Sequence, residues 1–153
     1  MQPFEPLPDQ INNRDDLKKR LSAVLSLYPV SAAYLYGSAV SGKMMPWSDI
    51  DIALVMSPQT FDPKRRLELE LEIEDKVACD ANIRRADVRI INDAPIVVRG
   101  EVITSGVLLY SGNEEERVDF ETRTRAEYFD FLPTYEMLRQ ARFERIGKEG
   151  DNG

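Results

Sequence analysis

Hydrophobic and polar positions change period several times along the chain, and each change marks a predicted element. Leu17, Leu21, Val24, Leu25 and Tyr28 recur at helical spacing. They stand behind Asn13, a residue suited to N-capping, with Asp15 and Asp16 in the first turn and Pro29 as a stop. Two uninterrupted apolar runs follow, Ala32-Ala33-Tyr34-Leu35-Tyr36 and Ile52-Ala53-Leu54-Val55-Met56, which read as buried strands bounded by turn residues. Between Phe61 and Ala81 the pattern is double. Leu67, Leu69, Leu71 and Ile73 alternate with glutamates as in a strand, whereas Leu69, Ile73 and Val77 fit a helix. The length of the segment and its Arg, Leu, Glu and Lys content favour a helix with its glutamates on a solvated face. Asp87-Val88-Arg89-Ile90-Ile91 reads as the next strand. Asn92 or Asp93 then caps a helix with Pro95 in its first turn and Gly106 at its end, and Val107 to Tyr110 forms a short last strand. Asn113 and Glu116 make an N-cap and third-position pair opening a long helix toward Ile146, which Pro133 is expected to kink or split. Residues 1–12, with Pro3, Pro6 and Pro8, read as a flexible arm, 13–146 as a single domain and 147–153 as a disordered tail.

The chemistry concentrates between the first two strands. Gly37-Ser38 closes one strand, ten residues intervene, and Asp49-Ile50-Asp51 opens the next. If these strands pair antiparallel, the small residues and the carboxylates meet on one edge of the sheet. Asp49 and Asp51 alternate onto one face, with Cα atoms roughly 6.6 Å apart at a rise of about 3.3 Å per residue. Carboxylates held side by side repel unless a cation sits between them, and hard oxygen ligands suit magnesium or manganese. Gly37 lets the backbone approach a phosphate-bearing substrate, and the Ser38 hydroxyl can donate to a phosphate oxygen. Taken separately, Gly-Ser is an ordinary turn and the aspartates are a solvated strand edge. Their fixed spacing between two strands is what makes a site.

Composition narrows the chemistry further. A chain of 153 residues buries a core without disulfides, and Cys79, the single cysteine, has no internal partner. No apolar run approaches the length of a membrane span, so the expectation is a soluble cytoplasmic protein without membrane contact. The sequence contains no histidine. That excludes Ser-His-Asp and Cys-His catalysis, histidine-containing zinc sites and a histidine general base. A net charge of -7 argues against an extended nucleic-acid surface and suits a protein partner.

The Gly-Ser, ten-residue spacer and Asp-x-Asp pattern resembles the small nucleotidyltransferases of the DNA polymerase β superfamily, and among them the MNT type, the antitoxin partner of HEPN toxins. The resemblance runs from about Leu17 to the long C-terminal helix. It implies an α/β (α+β) polymerase-β-like nucleotidyltransferase fold, a mixed sheet flanked by helices. It also implies magnesium-dependent transfer of AMP from ATP to a tyrosine hydroxyl of a cognate HEPN toxin. On this resemblance Asp49 and Asp51 hold two Mg2+ ions, and Asp87 lines up with the third carboxylate of the family. Gly37, Ser38, Lys43 and Ser48 are the expected nucleotide-binding residues. Asp87 has another reading, as a surface aspartate paired with Arg89 two residues on. Many relatives carry an arginine directly after Gly-Ser and another two residues on, where this chain has Ala39 and Ser41. Lys43 is the one cation of the spacer, and Arg99 is a further candidate for reaching the nucleotide or the partner. The missing histidine means the chain is not itself a HEPN ribonuclease. Two rival functions stay open: an antitoxin that binds and occludes its toxin through the C-terminal helix without catalysis, and a transferase acting on a small-molecule hydroxyl. In that helix Phe120, Tyr128, Phe129, Phe131, Tyr135 and Phe143 alternate with arginines, reading as core on one face with some residues left for a partner.

Overall fold

The two apolar runs flanking the Gly-Ser and Asp-x-Asp residues pair with each other, and the rest of the fold is laid around that hairpin. The computed structural model describes residues 14–43, 49–57 and 62–151. The expected arm at 1–12, the cap Asn13, Ser48 and Phe61 lie outside them. The elements in chain order are α1 (Arg14–Leu25), β1 (Val30–Tyr36), α2 (Ser38–Ser41), β2 (Ile50–Met56), α3 (Pro63–Asp80), β3 (Ala86–Ile90), α4 (Ile96–Ser105), β4 (Val107–Ser111) and α5 (Glu114–Asp151). The sheet has the order β3-β2-β1-β4. β1 runs antiparallel to both β2 and β4, while β2 and β3 are parallel because α3 carries the chain back between them. This is the expected mixed sheet with helices on both faces.

Strand alternation sorts the side chains into two cores. On one face Leu35, Ile52 and Leu54 pack against Leu17 and Leu21 of α1 and Ile73 and Val77 of α3. On the other, Ala32, Tyr34, Ala53 and Val55 pack against Val102 and Ile103 of α4 and Phe120 of α5. Tyr36, partly buried against this second core, and Asp51 continue the parity of the same face.

The double pattern before residue 81 resolves as helix. Asp62 caps α3 by accepting the Arg65 N–H at 2.8 Å, and Pro63 occupies the first turn. Its glutamates are not all on a solvated face, however. Glu74 accepts the Val88 N–H at 2.8 Å and Glu70 accepts the backbone of Ile90. β3 is an edge strand, so these two carboxylates, one helical turn apart, satisfy its outward N–H groups and close it to further pairing.

Two other expectations are corrected. Neither Asn92 nor Asp93 caps α4, whose N-cap position is Pro95 without a side-chain bond. Asn92 instead accepts the Met56 N–H at 2.9 Å and donates to the Met56 carbonyl at 3.0 Å, extending the β2–β3 ladder with a side chain. Of the two outcomes expected at Pro133, a kink or a split, the split does not occur: α5 continues past Ile146 through Gly147 and Gly150 to Asp151, into the stretch 147–153 expected to be disordered. Pro133 is exposed, so the carbonyl it leaves unpaired can be hydrated, and a helical glycine costs only about 1 kcal/mol relative to alanine. At the other end Asn113 accepts the Glu116 N–H at 3.1 Å as expected. The Glu116 carboxylate accepts from the hydroxyls of Ser31 and Ser57, so the first turn of α5 is fastened to the sheet. Among the described residues no helix is long and apolar enough to cross a membrane.

Candidate active site

β1 ends at Tyr36, and the chain turns at Gly37 with φ 74° and ψ -144°, a combination open almost only to glycine. The Gly37 carbonyl accepts the N–H groups of Val40 and Ser41 at 3.1 and 3.0 Å, folding residues 38–41 into the single turn α2. A Cβ on Gly37 would run into Oδ2 of Asp51. Glycine is therefore needed for its backbone and again because a carboxylate occupies the space a side chain would take.

Register brings the acids together. Asp51 lies opposite Tyr36 on the antiparallel side and opposite Asp87 on the parallel side, so the three form a row across β1, β2 and β3 on one face. Asp49 stands exposed, one residue before β2. Ser38 is half-buried in α2, and Lys43 is exposed just past its left-handed C-cap Gly42. Ser48 lies outside the described residues.

The row is electrostatically loaded. Partial burial raises the pKa of the Asp51 carboxyl, the charges of Asp87 and Asp49 raise it further, and Arg89 opposes them. Burial, together with Asp51 and Asp87, pushes the Tyr36 phenol up to about 12. Asp87 accepts from Arg89 Nε at 3.1 Å, so its surface pairing and its place in the row hold at once. The Arg89 side chain is 63% exposed, and an ion pair of that kind contributes at most about 1 kcal/mol, little enough to be exchanged for a stronger ligand. Carboxylates without histidine or cysteine fit a hard divalent cation in kind, and the mutual repulsion around Asp51 is what such a cation relieves. Among the described residues no three acids converge closely enough to ligate an ion, with Asp87 held by Arg89.

Two clefts meet at Tyr36 and Val98. One, of about 540 Å³, lies along Asp87 and Arg89 and is bordered by Arg66, Glu70 and Pro95. The other, of about 580 Å³, is bordered by Gly37, Ser41, Glu101 and Tyr128. Both have the volume of small-molecule sites. Glu70 was not among the expected site residues; burial raises its pKa, against the Ile90 backbone, Arg66 and Arg89. The readable signal was its spacing, directly after the core residue Leu69 and one turn before Glu74. The Arg99 guanidinium is engaged within the protein. Its Nε donates to the Ala94 carbonyl at 2.7 Å and its two terminal nitrogens face Glu127 at 3.3 and 3.4 Å, tying α4 to α5.

Residues 19–115, well over half of the chain, match the family described as "Polymerase beta, Nucleotidyltransferase". The chain belongs to this family. The matched span takes in Gly37-Ser38, Asp49 and Asp51, which carried the resemblance, and Asp87, which the resemblance implied. No curated protein matches the nucleotidyltransferase in sequence. Among solved structures it is similar to a chain of a toxin–antitoxin crystallised with AMP-PNP, at 25% identity and a TM-score of 0.57, covering 88% of this chain and 98% of that one. Its fold is also that of a chain from a tri-AMPylated Shewanella oneidensis HEPN toxin in complex with MNT antitoxin, at 24% identity and a TM-score of 0.53, covering 90% and 98%. A chain of the toxin–antitoxin MntA-HepT shares the fold as well, at 23% identity and a TM-score of 0.52, covering 88% and 97%.

Proposed function

We propose that this nucleotidyltransferase is a cytoplasmic antitoxin that transfers AMP from ATP to a tyrosine hydroxyl of a HEPN-type toxin and so silences it. The observation that carries the reading is the packing of Gly37 against Asp51, with Asp87 in register on the next strand. The AMP-PNP and AMPylated-toxin complexes of similar fold support ATP as donor and a protein as acceptor.

Magnesium held by Asp49, Asp51 and Asp87 would supply charge neutralisation at the triphosphate and ease ionisation of the acceptor hydroxyl. The chain's own residues do the rest. Gly37 and Ser38 grip the terminal phosphates, the glycine by letting the backbone come close and the serine by donating its hydroxyl. Lys43 adds a point charge, without the bidentate geometry of the arginines that Ala39 and Ser41 replace. A phenol has a pKa near 10, so its proton must leave as the bond to the α-phosphorus forms, and Asp87, on the outer strand of the row, accepts it. The bond between the α-phosphorus and the pyrophosphate oxygen breaks at the same centre, and pyrophosphate leaves.

The Asp87–Arg89 pair favours a second reading, in which catalysis is vestigial and the antitoxin acts by occlusion. The test incubates the chain with ATP, magnesium and the HEPN-type protein encoded beside it, then locates added mass by peptide mass spectrometry. We expect a 5′-AMP adduct on a toxin tyrosine, and its loss in Asp51→Asn with binding retained. Full toxin neutralisation by Asp51→Asn would overturn the catalytic reading in favour of occlusion.

A further inference from the structure

The distal part of α5 has no counterpart elsewhere in the fold. Every residue from Glu136 to Lys148 is exposed, more than three helical turns without a covered face. Yet the segment carries large apolar side chains among its charges. Leu138 is 57% exposed, Phe143 65% and Ile146 54%, and with Tyr135, Arg139 and Arg142 they line a groove of about 540 Å³ along the helix. Helices of globular proteins gain most of their stability from packing an apolar face, and this face packs on nothing among the described residues.

The charges beside it say what kind of surface would cover it. In the proximal part of α5 each arginine is matched to a carboxylate: Arg117 to Glu114 and Glu121, Arg123 to Asp119, Arg125 to Glu121. In the distal part Arg139 lies over the Phe143 ring at 5.9 Å. Among the described residues, no carboxylate lies within ion-pair distance of Arg139, Arg142 or Arg145, and none lines the groove. The groove is thus cationic and apolar on a chain whose net charge is -7. A second copy of this chain would bring arginine against arginine there. An acidic, amphipathic helix would supply both the missing carboxylates and the apolar cover.

We infer that the groove of Tyr135, Leu138, Arg139, Arg142, Phe143 and Ile146 is the docking surface for an acidic amphipathic helix of the protein partner. Resting on the antitoxin reading, it assigns recognition of the toxin to a surface separate from the carboxylate row, so that binding and transfer respond to different substitutions. Arginine beside aromatic and aliphatic side chains is the composition of interface centres, where a few residues dominate affinity.

The test measures the affinity of the full chain for the neighbouring HEPN-type protein by titration calorimetry at two salt concentrations, with a fluorescent ATP analogue read in parallel. Arg139→Glu/Arg142→Glu is expected to weaken the complex about tenfold or more, to reduce its salt dependence, and to leave ATP-analogue binding unchanged. Leu138→Ser/Phe143→Ser, which keeps the charges, is expected to weaken it comparably while leaving the thermal melt of the free chain unaltered. An unchanged affinity in both variants overturns this docking surface while the antitoxin reading survives. Self-association of the free chain that both variants abolish overturns it in favour of a second copy. A wild-type chain that does not bind the HEPN-type protein at all overturns this inference and the antitoxin reading together.

Discussion

Replacing Gly37 with alanine tests the site at its narrowest point. Two costs are added by one methyl group. The backbone at φ 74° and ψ -144° is strained for any residue with a Cβ, by about 1–3 kcal/mol. The methyl also lands on Oδ2 of Asp51, so the carboxylate must move out of the row it forms with Asp87. In a domain of this size 1 kcal/mol shifts the melting temperature by about 2–4 °C, so the expected loss is roughly 2–12 °C. The loss of nucleotidyl transfer is expected to be larger, about a hundredfold, because displacement of a reacting group by about 1 Å has that effect. Gly42 supplies the control. It also has positive φ, 76°, but among the described residues a Cβ there meets nothing within 4 Å. Gly42→Ala should cost about 1–2 kcal/mol of stability for the left-handed backbone alone and leave transfer at the wild-type rate. Denaturant titration and label transfer from ATP, run on both variants, separate strain from carboxylate displacement. Equal losses of transfer in the two variants, or full transfer in Gly37→Ala, would refute the packing of glycine against Asp51 as the reason for its presence.

Three further substitutions probe the supports of the site. Asn92→Ala strands the Met56 N–H and carbonyl and should cost about 1–3 kcal/mol in equilibrium unfolding; a loss below 0.5 kcal/mol, as an order-of-magnitude threshold, would mean that water replaces the amide freely. Gly100→Ala drives a methyl into the Tyr128 ring where α4 meets α5, and overpacking of about 1–3 kcal/mol should appear in the same measurement, whereas a neutral result would contradict that contact. Glu70 has its carboxyl pKa raised by burial, so the folded chain holds that proton more tightly than the unfolded chain and ionisation of Glu70 costs stability at neutral pH. Glu70→Gln keeps an acceptor for Ile90 and should be at least as stable as wild type at pH 7, with the difference shrinking as pH falls through the carboxylate range. A variant less stable at pH 7 would show that the arginines around Glu70 outweigh its burial.

The elements carrying the motif were legible because they are local. Two apolar runs bounded by turn residues, and a fixed Gly-Ser to Asp-x-Asp interval, are one-dimensional signals that survive without the fold. The partner of Asp51 was not legible in that way. Its opposition to Asp87 depends on the parallel register that α3 sets between β2 and β3, and only the family resemblance pointed to Asp87 beforehand. Asn92 does not cap α4 for a related reason: it sits where a cap is common, but its amide is taken by a distant partner, the Met56 backbone. The glutamates of α3 counted as exposed because they belong to a charge run. Glu70 and Glu74 instead close an edge strand, whose position in the sheet no pattern along the chain reveals.

Divalent cation and triphosphate are expected to gather at the carboxylates beside Gly37. The most direct measurement is the anomalous scattering from a crystal grown with manganese and a non-hydrolysable ATP analogue. The expected result is a peak between Asp51 and Asp87, phosphates against Gly37 and Ser38, and Arg89 released from Asp87. Asp87 still paired with Arg89, and no peak along the row at saturating nucleotide, would contradict it.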